Sequence, residues 1–381
     1  MTAFSSAQKE IPPGRVDLAI GQPSPGLLPV AAMARAAAHC TSHPACVLLA
    51  YGPEQGDGHF RAALSQFLGK IYAMPVDPAH LLVTNGASQA IDLICTLFSR
   101  AGDTIFVEEP TYFLARKIFA DHRLNPVALP MDANGLIIDA LEEALTHTRP
   151  AFLYTIPTYH NPTSVSLSAA RREQLVELSR RHDLLVVADE VYHPLSYTSA
   201  PPPPLAAACT SAKVISLGSF SKILAPGLRL GWLQAAPGRV ERIAQCGLLD
   251  SGGGLNPFTS GVVRSAMELG LVDETLDLLK ETYSRRLQAM CAALRSRLPA
   301  AVQFTEPAGG FFIWLTLTEG VDATALLAEA IAHNVEFMPG PKFSSRQGLK
   351  NCLRLSFAYY DTPELLTGVE RLSAVIRPAI K

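Results

Sequence analysis

Short apolar runs rich in branched residues recur through the middle of the chain, each followed by polar or turn-forming residues and then by a helical pattern. The runs are LLVT (81–84), TIFV (104–107), FLYTI (152–156), LLVVA (184–188) and KVISL (213–217). They lack polar alternation, so they predict strands buried on both faces, as in a parallel sheet covered by helices. Between them, Ala90, Ile91, Ile94, Leu97 and Phe98 follow the i, i+3, i+4, i+7 stripe of a helix opening after Gly86. Ser168 is a natural N-cap for AARREQLVELSRRH, with Leu175 and Leu178 facing inward and its Arg and Glu residues facing water. Strand alternating with helix predicts an α/β fold with a mostly parallel central sheet.

From about residue 256 the pattern changes. A long helical stretch (TLDLLKETYSRRLQAMCAALRSRL) precedes a β-like segment (GGFFIWLTL), a helix (ATALLAEAIAHN) and short strands around VEFMPG and CLRLSFA. The chain therefore divides into a large α/β domain, 46–255, and a smaller α+β domain formed by 1–45 together with 256–381. A length of 381 residues suits two domains. Pro201 to Pro204 predict a stiff surface spacer.

With 48% hydrophobic and 17% charged residues, the chain has ample material for a core. Its net charge of −2 argues against a sequence-independent nucleic-acid surface. No apolar run approaches the ~20 residues of a membrane span, and Met1 to Pro13 lack the apolar region of a secretory signal. The seven cysteines are scattered without a C-x-x-C pair, so neither a metal site nor a disulfide framework is expected. Cys95, inside IDLICTLF, reads as a small buried hydrophobe. These features predict a cytoplasmic protein with no membrane or nucleic-acid partner.

In a doubly wound sheet, ligands bind beyond the carboxyl ends of the strands. Gly86, Ala87 and Ser88 follow the first run and open a helix, offering free N–H groups and a hydroxyl to a phosphate. Ser219, Ser221 and Lys222 follow the last run, with Arg229 seven positions after the lysine. One economical use of that set is a phosphate held by Ser219, Ser221 and Arg229, with Lys222 placed to form a Schiff base with a nearby aldehyde. Asp189 stands at the tip of an apolar strand, where a charge is costly without a partner. A protonated heteroaromatic nitrogen would supply one. Aldehyde, phosphate and pyridinium together describe pyridoxal 5′-phosphate (PLP).

The segments AYGPEQG (50–56), TNGASQA (84–90), EEPTYF (108–113), PTYHNPTS (157–164), ADEVY (188–192), SLGSFSKILAPGLRLGW (216–232) and CLRLSF (352–357) run over almost the whole chain in one order. In these the chain resembles the PLP-dependent class I/II aminotransferases of fold-type I, in particular the 2-aminoadipate/aromatic aminotransferase-like group. The resemblance implies amino-group transfer from an L-amino acid to a 2-oxo acid. It makes Lys222 the cofactor-bonding lysine and Asp189 the partner of the ring nitrogen. Tyr192 and Asn161 become the pair on the ring's 3′-oxygen, and Tyr112 the aromatic stacked on the ring. Gly86, Ala87 and Ser88 would assist Ser219, Ser221 and Arg229 at the phosphate, and Tyr51 would reach the phosphate of a neighbouring subunit, implying a homodimer with shared sites. Arg354 corresponds to the arginine that grips the substrate carboxylate in a bidentate fork. The stretch beginning at Gly21 matches a segment that closes over the substrate.

Each residue also has a plainer use. Asp189 could cap a helix, Asn161 could simply form a turn with Pro162, Tyr112 and Tyr192 could be core tyrosines, Tyr51 could pack in a loop, and Arg354 could sit on a surface edge strand. Two departures stand out: Ser164 replaces the family's usual Gly, which strains the turn if φ must be positive, and His160 precedes Asn161 as a structural histidine or a proton relay. The same scaffold also supports elimination, replacement, decarboxylation or cyclisation. A regulator fused to a DNA-binding module is disfavoured, since the fold's first segment falls within about the first 20 residues. No second arginine marks a clamp for a distal carboxylate, so the donor side chain stays open among aromatic, aliphatic and aminoadipate-like. Ser251 to Gly254 predict a flexible loop near the site.

Overall fold

The computed structural model describes residues 11–42 and 47–380. Its main sheet has eight strands: β1 Leu81–Thr84, β2 Thr104–Glu109, β3 Asn125–Asp132, β4 Gly135–Leu136, β5 Leu153–Thr155, β6 Val186–Asp189, β7 Val214–Ser219 and β8 Gly231–Ala235. They lie in the order β1-β8-β7-β6-β5-β2-β3-β4. The run from β7 to β3 is parallel; β8 is antiparallel to both β1 and β7, and β4 folds back on β3. All five apolar runs lie in this sheet. Successive residues serve opposite cores: Tyr154, Val187 and Leu217 join Ile91 and Phe119 on one face, whereas Leu153, Val186 and Val214 join Leu175 and Leu178 on the other. That double burial is why the runs carry no polar alternation.

The helix Ala169–Arg181 starts where expected, with the Ser168 side chain accepting from the Arg171 N–H. Arg172, expected to face water, is instead only 4% exposed. It stands three residues before Leu175, on the same helical face. Its guanidinium donates to the carbonyls of Pro157, Leu167 and Pro203 and to Thr158 Oγ1, and lies 3.6 Å from Glu190. The proline run is therefore pinned at its end: Pro203 accepts from Arg172, and Glu190 accepts from the N–H groups of Leu205 and Ala206. The Ser251–Gly254 run is a second correction. Its first two residues end the helix Gly247–Gly252, and a Cβ at Gly253 would sit 2.6 Å from the Gly52 carbonyl, so the run packs against the 52–56 segment.

Beyond the main sheet, Cys352–Ser356 lies between Phe312–Thr316 and Met338–Pro339 in a three-stranded antiparallel sheet. Val16–Asp17 pairs in parallel with Val335–Glu336, which ties the N-terminal segment to the C-terminal part. The 27-residue helix Leu271–Arg297 and the helix Thr362–Ala379 share one core with this sheet. Among the described residues, no helix is long and apolar enough to cross a membrane, and no cluster of His, Cys, Asp or Glu could hold a metal ion.

Candidate active site

A cavity of about 360 Å³ opens at the carboxyl ends of the parallel strands. Asp189 is the last residue of β6 and Ser219 the last of β7; Ala87 follows β1, Tyr112 follows β2 and Asn161 follows β5. All five line the cavity, as do Ser88, Tyr192, Ser221, Lys222 and Arg229. Arg354, from the middle strand of the small sheet, and Gly21 close it from the other side.

One end is built for an anion. Gly86 takes φ +85°, and the helix Ala87–Phe98 begins with no side-chain cap, leaving its first N–H groups without intrahelical partners. Gly86 stands behind the wall, where a Cβ would come within 3.1 Å of Arg229 Nη2. Arg229 is anchored through its own backbone, since Asn256 Nδ2 donates to its carbonyl at 2.6 Å. Ser219 Oγ donates to Ser221 Oγ at 3.0 Å and accepts from the Ser221 N–H at 3.1 Å.

The centre holds the ionisable pair. Asp189, 4% exposed, accepts a 2.7 Å hydrogen bond at Oδ2 from the Tyr154 hydroxyl, while its buried Oδ1 has no partner. Burial raises the Asp189 carboxyl, opposed by the Tyr154 bond, then by the Val191 backbone N–H and by Lys222. Lys222 Nζ donates to the Gly21 carbonyl at 3.0 Å. Burial first and Arg354 second lower this amine to about 8, with Asp189 pulling the other way. Burial raises Tyr112 to about 12 and Tyr192 further, so both phenols remain donors.

At the far end, Arg354 is buried in the central strand of its sheet rather than exposed on an edge. Nη1 donates to Asn161 Oδ1 and Nη2 to the Ala19 carbonyl, both at 2.8 Å, and the guanidinium lies 3.9 Å from the Phe312 ring centre. Burial lowers it to about 10. Phe343 packs 5.0 Å from the same guanidinium, and its carbonyl accepts from the Thr111 N–H beside Tyr112.

Ser164 does take positive φ, +59°, as a glycine would. Its hydroxyl offsets the strain by donating to the Phe312 carbonyl at 2.6 Å, tying the Asn161 turn to the small sheet. His160 is fully buried, 3.2 Å from Glu108 and 3.0 Å from Thr163 Oγ1, and is absent from the cavity wall. Tyr51 lies outside this chain's cavity and is 87% exposed. Sequence reasoning missed Phe312 and Tyr154. The signal for Tyr154 was a hydroxyl inside an apolar run, since a buried phenol needs a partner.

The orphaned Asp189 Oδ1, the uncapped helix start beside two serines and Arg229, and the buried amine of Lys222 fit the ring nitrogen, phosphate and aldehyde of PLP. Residues 13–372 match the family described as aminotransferase class I and II. Aromatic-amino-acid aminotransferase 1 of Thermococcus litoralis is 34% identical over 371 residues, 96% of this chain and 89% of that protein. The kynurenine aminotransferase of Pyrococcus horikoshii, solved with PMP and KYN as substrates and KYA as product, superposes with a TM-score of 0.90 at 33% identity, covering 96% of this chain and 92% of that one. The α-aminoadipate aminotransferase of Thermus thermophilus, complexed with N-(5′-phosphopyridoxyl)-L-leucine, gives a TM-score of 0.88 at 33% identity, with 98% and 95% coverage.

Proposed function

The chain belongs to the class I and II aminotransferases, PLP enzymes that move an amino group from an amino acid to a 2-oxo acid, and from that premise we propose how its residues divide the work and which amino donors it takes. When bound, PLP supplies an aldehyde that an amine can attack and a protonated ring that accepts the electron pair left when the Cα–H bond breaks. Lys222 is the residue that would bond to it, and its Nζ, when neutral and not so bonded, would hold the proton given up by the substrate Cα. Asp189 Oδ1 accepts the hydrogen bond of the ring N–H. Asn161 Nδ2 and the Tyr192 hydroxyl would hold the ring's oxygen, Tyr112 would cover the ring, and Ala87, Ser88, Ser219, Ser221 and Arg229 would hold the phosphate. The remaining N–H groups of Arg354 grip the α-carboxylate, while Asn161 and Ala19 fix the guanidinium plane.

The observation that carries the substrate class is the wall around Arg354. Ile20, Phe113, Leu114, Met338 and Tyr359 line the same cavity as Arg354, and Phe312 and Phe343 pack on its guanidinium. The cations among the described lining residues, Lys222, Arg229 and Arg354, are all committed to other roles. The donor is therefore an amino acid with an aliphatic or aromatic side chain. A panel of amino donors and 2-oxo acid acceptors tests this: leucine, methionine and phenylalanine should exceed aspartate and lysine in kcat/KM by tenfold or more on the scale of one uncompensated buried charge, roughly 1.4 kcal/mol per tenfold. A preference for acidic donors would reverse the assignment. Borohydride reduction of the holoenzyme should fix the cofactor to Lys222, and Lys222→Ala should abolish that label.

We further read the molecule as a cytoplasmic homodimer whose sites are shared, with 46–255 forming the large domain and 1–45 with 256–381 the small one. Separate sheets in the two parts support the division. Exposed Leu49, Tyr51 and Phe258 support the dimer, on segments that touch where Gly52 meets Pro257.

A further inference from the structure

The two oxygens of Asp189 have unlike surroundings: Oδ2 is engaged by the Tyr154 hydroxyl at 2.7 Å, and Oδ1 has no partner. Tyr154 and Asp189 stand on the adjacent parallel strands β5 and β6, with Tyr154 opposite Val187. Residues two apart on a strand share a face at a spacing of about 6.6 Å. A phenol spans nearly that distance, so Tyr154 reaches along the sheet from Val187's level to Asp189. Its ring is fully buried and held edge-on to Phe119 at 5.4 Å, with Phe119 in turn packed on Phe152 at 5.9 Å. Tyr154 itself does not line the cavity; it approaches the carboxylate from behind.

We propose that Tyr154 is a positioning residue for Asp189, occupying Oδ2 so that Oδ1 points, ionised, at the cofactor's ring nitrogen. This rests on the assignment of Asp189 given above. A buried carboxylate without a donor tends to neutralise, and a neutral acid would not keep the ring nitrogen protonated. A hydrogen bond to one oxygen favours the charged form and restricts rotation about the carboxylate. The phenol suits the task because it has one proton to give and cannot itself compete as a cation.

Three variants test this: Tyr154→Phe, Asp189→Asn and the double substitution, each read by the affinity of the apoprotein for PLP, the visible absorption band of the holoenzyme, and kcat and KM. Tyr154→Phe should weaken PLP binding about tenfold, the scale of a hydrogen bond to a charged group. It should shift the absorption band and lower kcat while leaving KM for the amino donor within about twofold. In the Asp189→Asn background, adding Tyr154→Phe should change affinity by less than about twofold, because the charge it supports is gone. A Tyr154→Phe enzyme with unchanged affinity, absorption and kcat overturns the proposal, as does an equal loss in both backgrounds. If Asp189→Asn alone leaves affinity and absorption unchanged, the assignment of Asp189 fails first and Tyr154's role falls with it.

Discussion

At the level of single residues, the chemistry depends on an amine that gives up its proton more readily than an ordinary lysine. Lys222 has its pKa lowered to about 8, chiefly by burial and then by Arg354, with Asp189 opposing. An ordinary lysine is roughly 0.3% neutral at pH 8, whereas about half of Lys222 is. The rate at which the apoprotein captures PLP covalently should therefore rise with pH and level off above about 8 instead of climbing toward 10.5, as followed by absorbance in rapid mixing. Asp189→Asn removes the attraction that favours the charged amine, so the midpoint should move lower. The same shift has a stability consequence of fixed sign. The folded apoprotein disfavours the proton, so this residue's penalty is full below about pH 8 and fades as pH rises from there toward 10.5. That Lys222, Asp189 and Arg229 line one cavity was legible in the sequence because they follow apolar runs whose carboxyl ends border a cleft in this kind of sheet. Tyr154 was hidden inside such a run, where its hydroxyl has meaning only once β5 and β6 are seen side by side.

Elements were legible wherever burial on both faces left an unbroken apolar signature. That signature is missing from β3, which contains Pro126 and Pro130 and pairs on its outer side only through Met131 and Asp132. It is diluted in β8 by Gly231 and Gln234. What joins the elements was less visible, because it comes from polar side chains whose partners are distant in sequence. Arg172 joins the helix Ala169–Arg181 to the loops at 157–158 and 203 and faces the buried carboxylate of Glu190. Arg172→Met, similar in length, should cost about 3 kcal/mol or more in chemical unfolding by leaving Glu190 without its cation. Adding Glu190→Gln should recover part of the loss. The turn at Ser164 offers a finer comparison. Ser164→Ala keeps the left-handed backbone and loses the bond to Phe312, a cost of about 1 kcal/mol. Ser164→Gly loses the same bond but gains about as much from relieved strain, so its melting temperature should stay near that of the parent. Equal losses in the two variants would show that the backbone at 164 is unstrained.

At the scale of the whole molecule, the residue to decide is Tyr51, which is 87% exposed although the family resemblance implies that it reaches a phosphate. Gly253 and Gly254 allow the close approach that holds its segment: the Gly254 N–H donates to the Gly52 carbonyl at 3.1 Å, and any side chain at either position would strike the 52–53 backbone. A tyrosine fixed in place yet turned outward suits a site completed by a second copy of the chain. In a two-fold dimer of that kind, Tyr51→Phe should weaken PLP binding about tenfold by removing a hydrogen bond to a charged group. Light scattering should give twice the mass of one chain. The sharing itself is tested by mixing. Lys222→Ala homodimers have no amine at either site, and Tyr51→Phe homodimers are poorly filled at limiting PLP. A hybrid of the two contains one site with both Lys222 and the partner's Tyr51 intact and one site with both altered. Random exchange makes half the dimers hybrid, so about a quarter of all sites should become fully competent. Activity at limiting PLP should then rise on mixing above the average of the two parents. If Tyr51 served the cavity of its own chain, every site would keep one defect or the other, and mixing would add nothing.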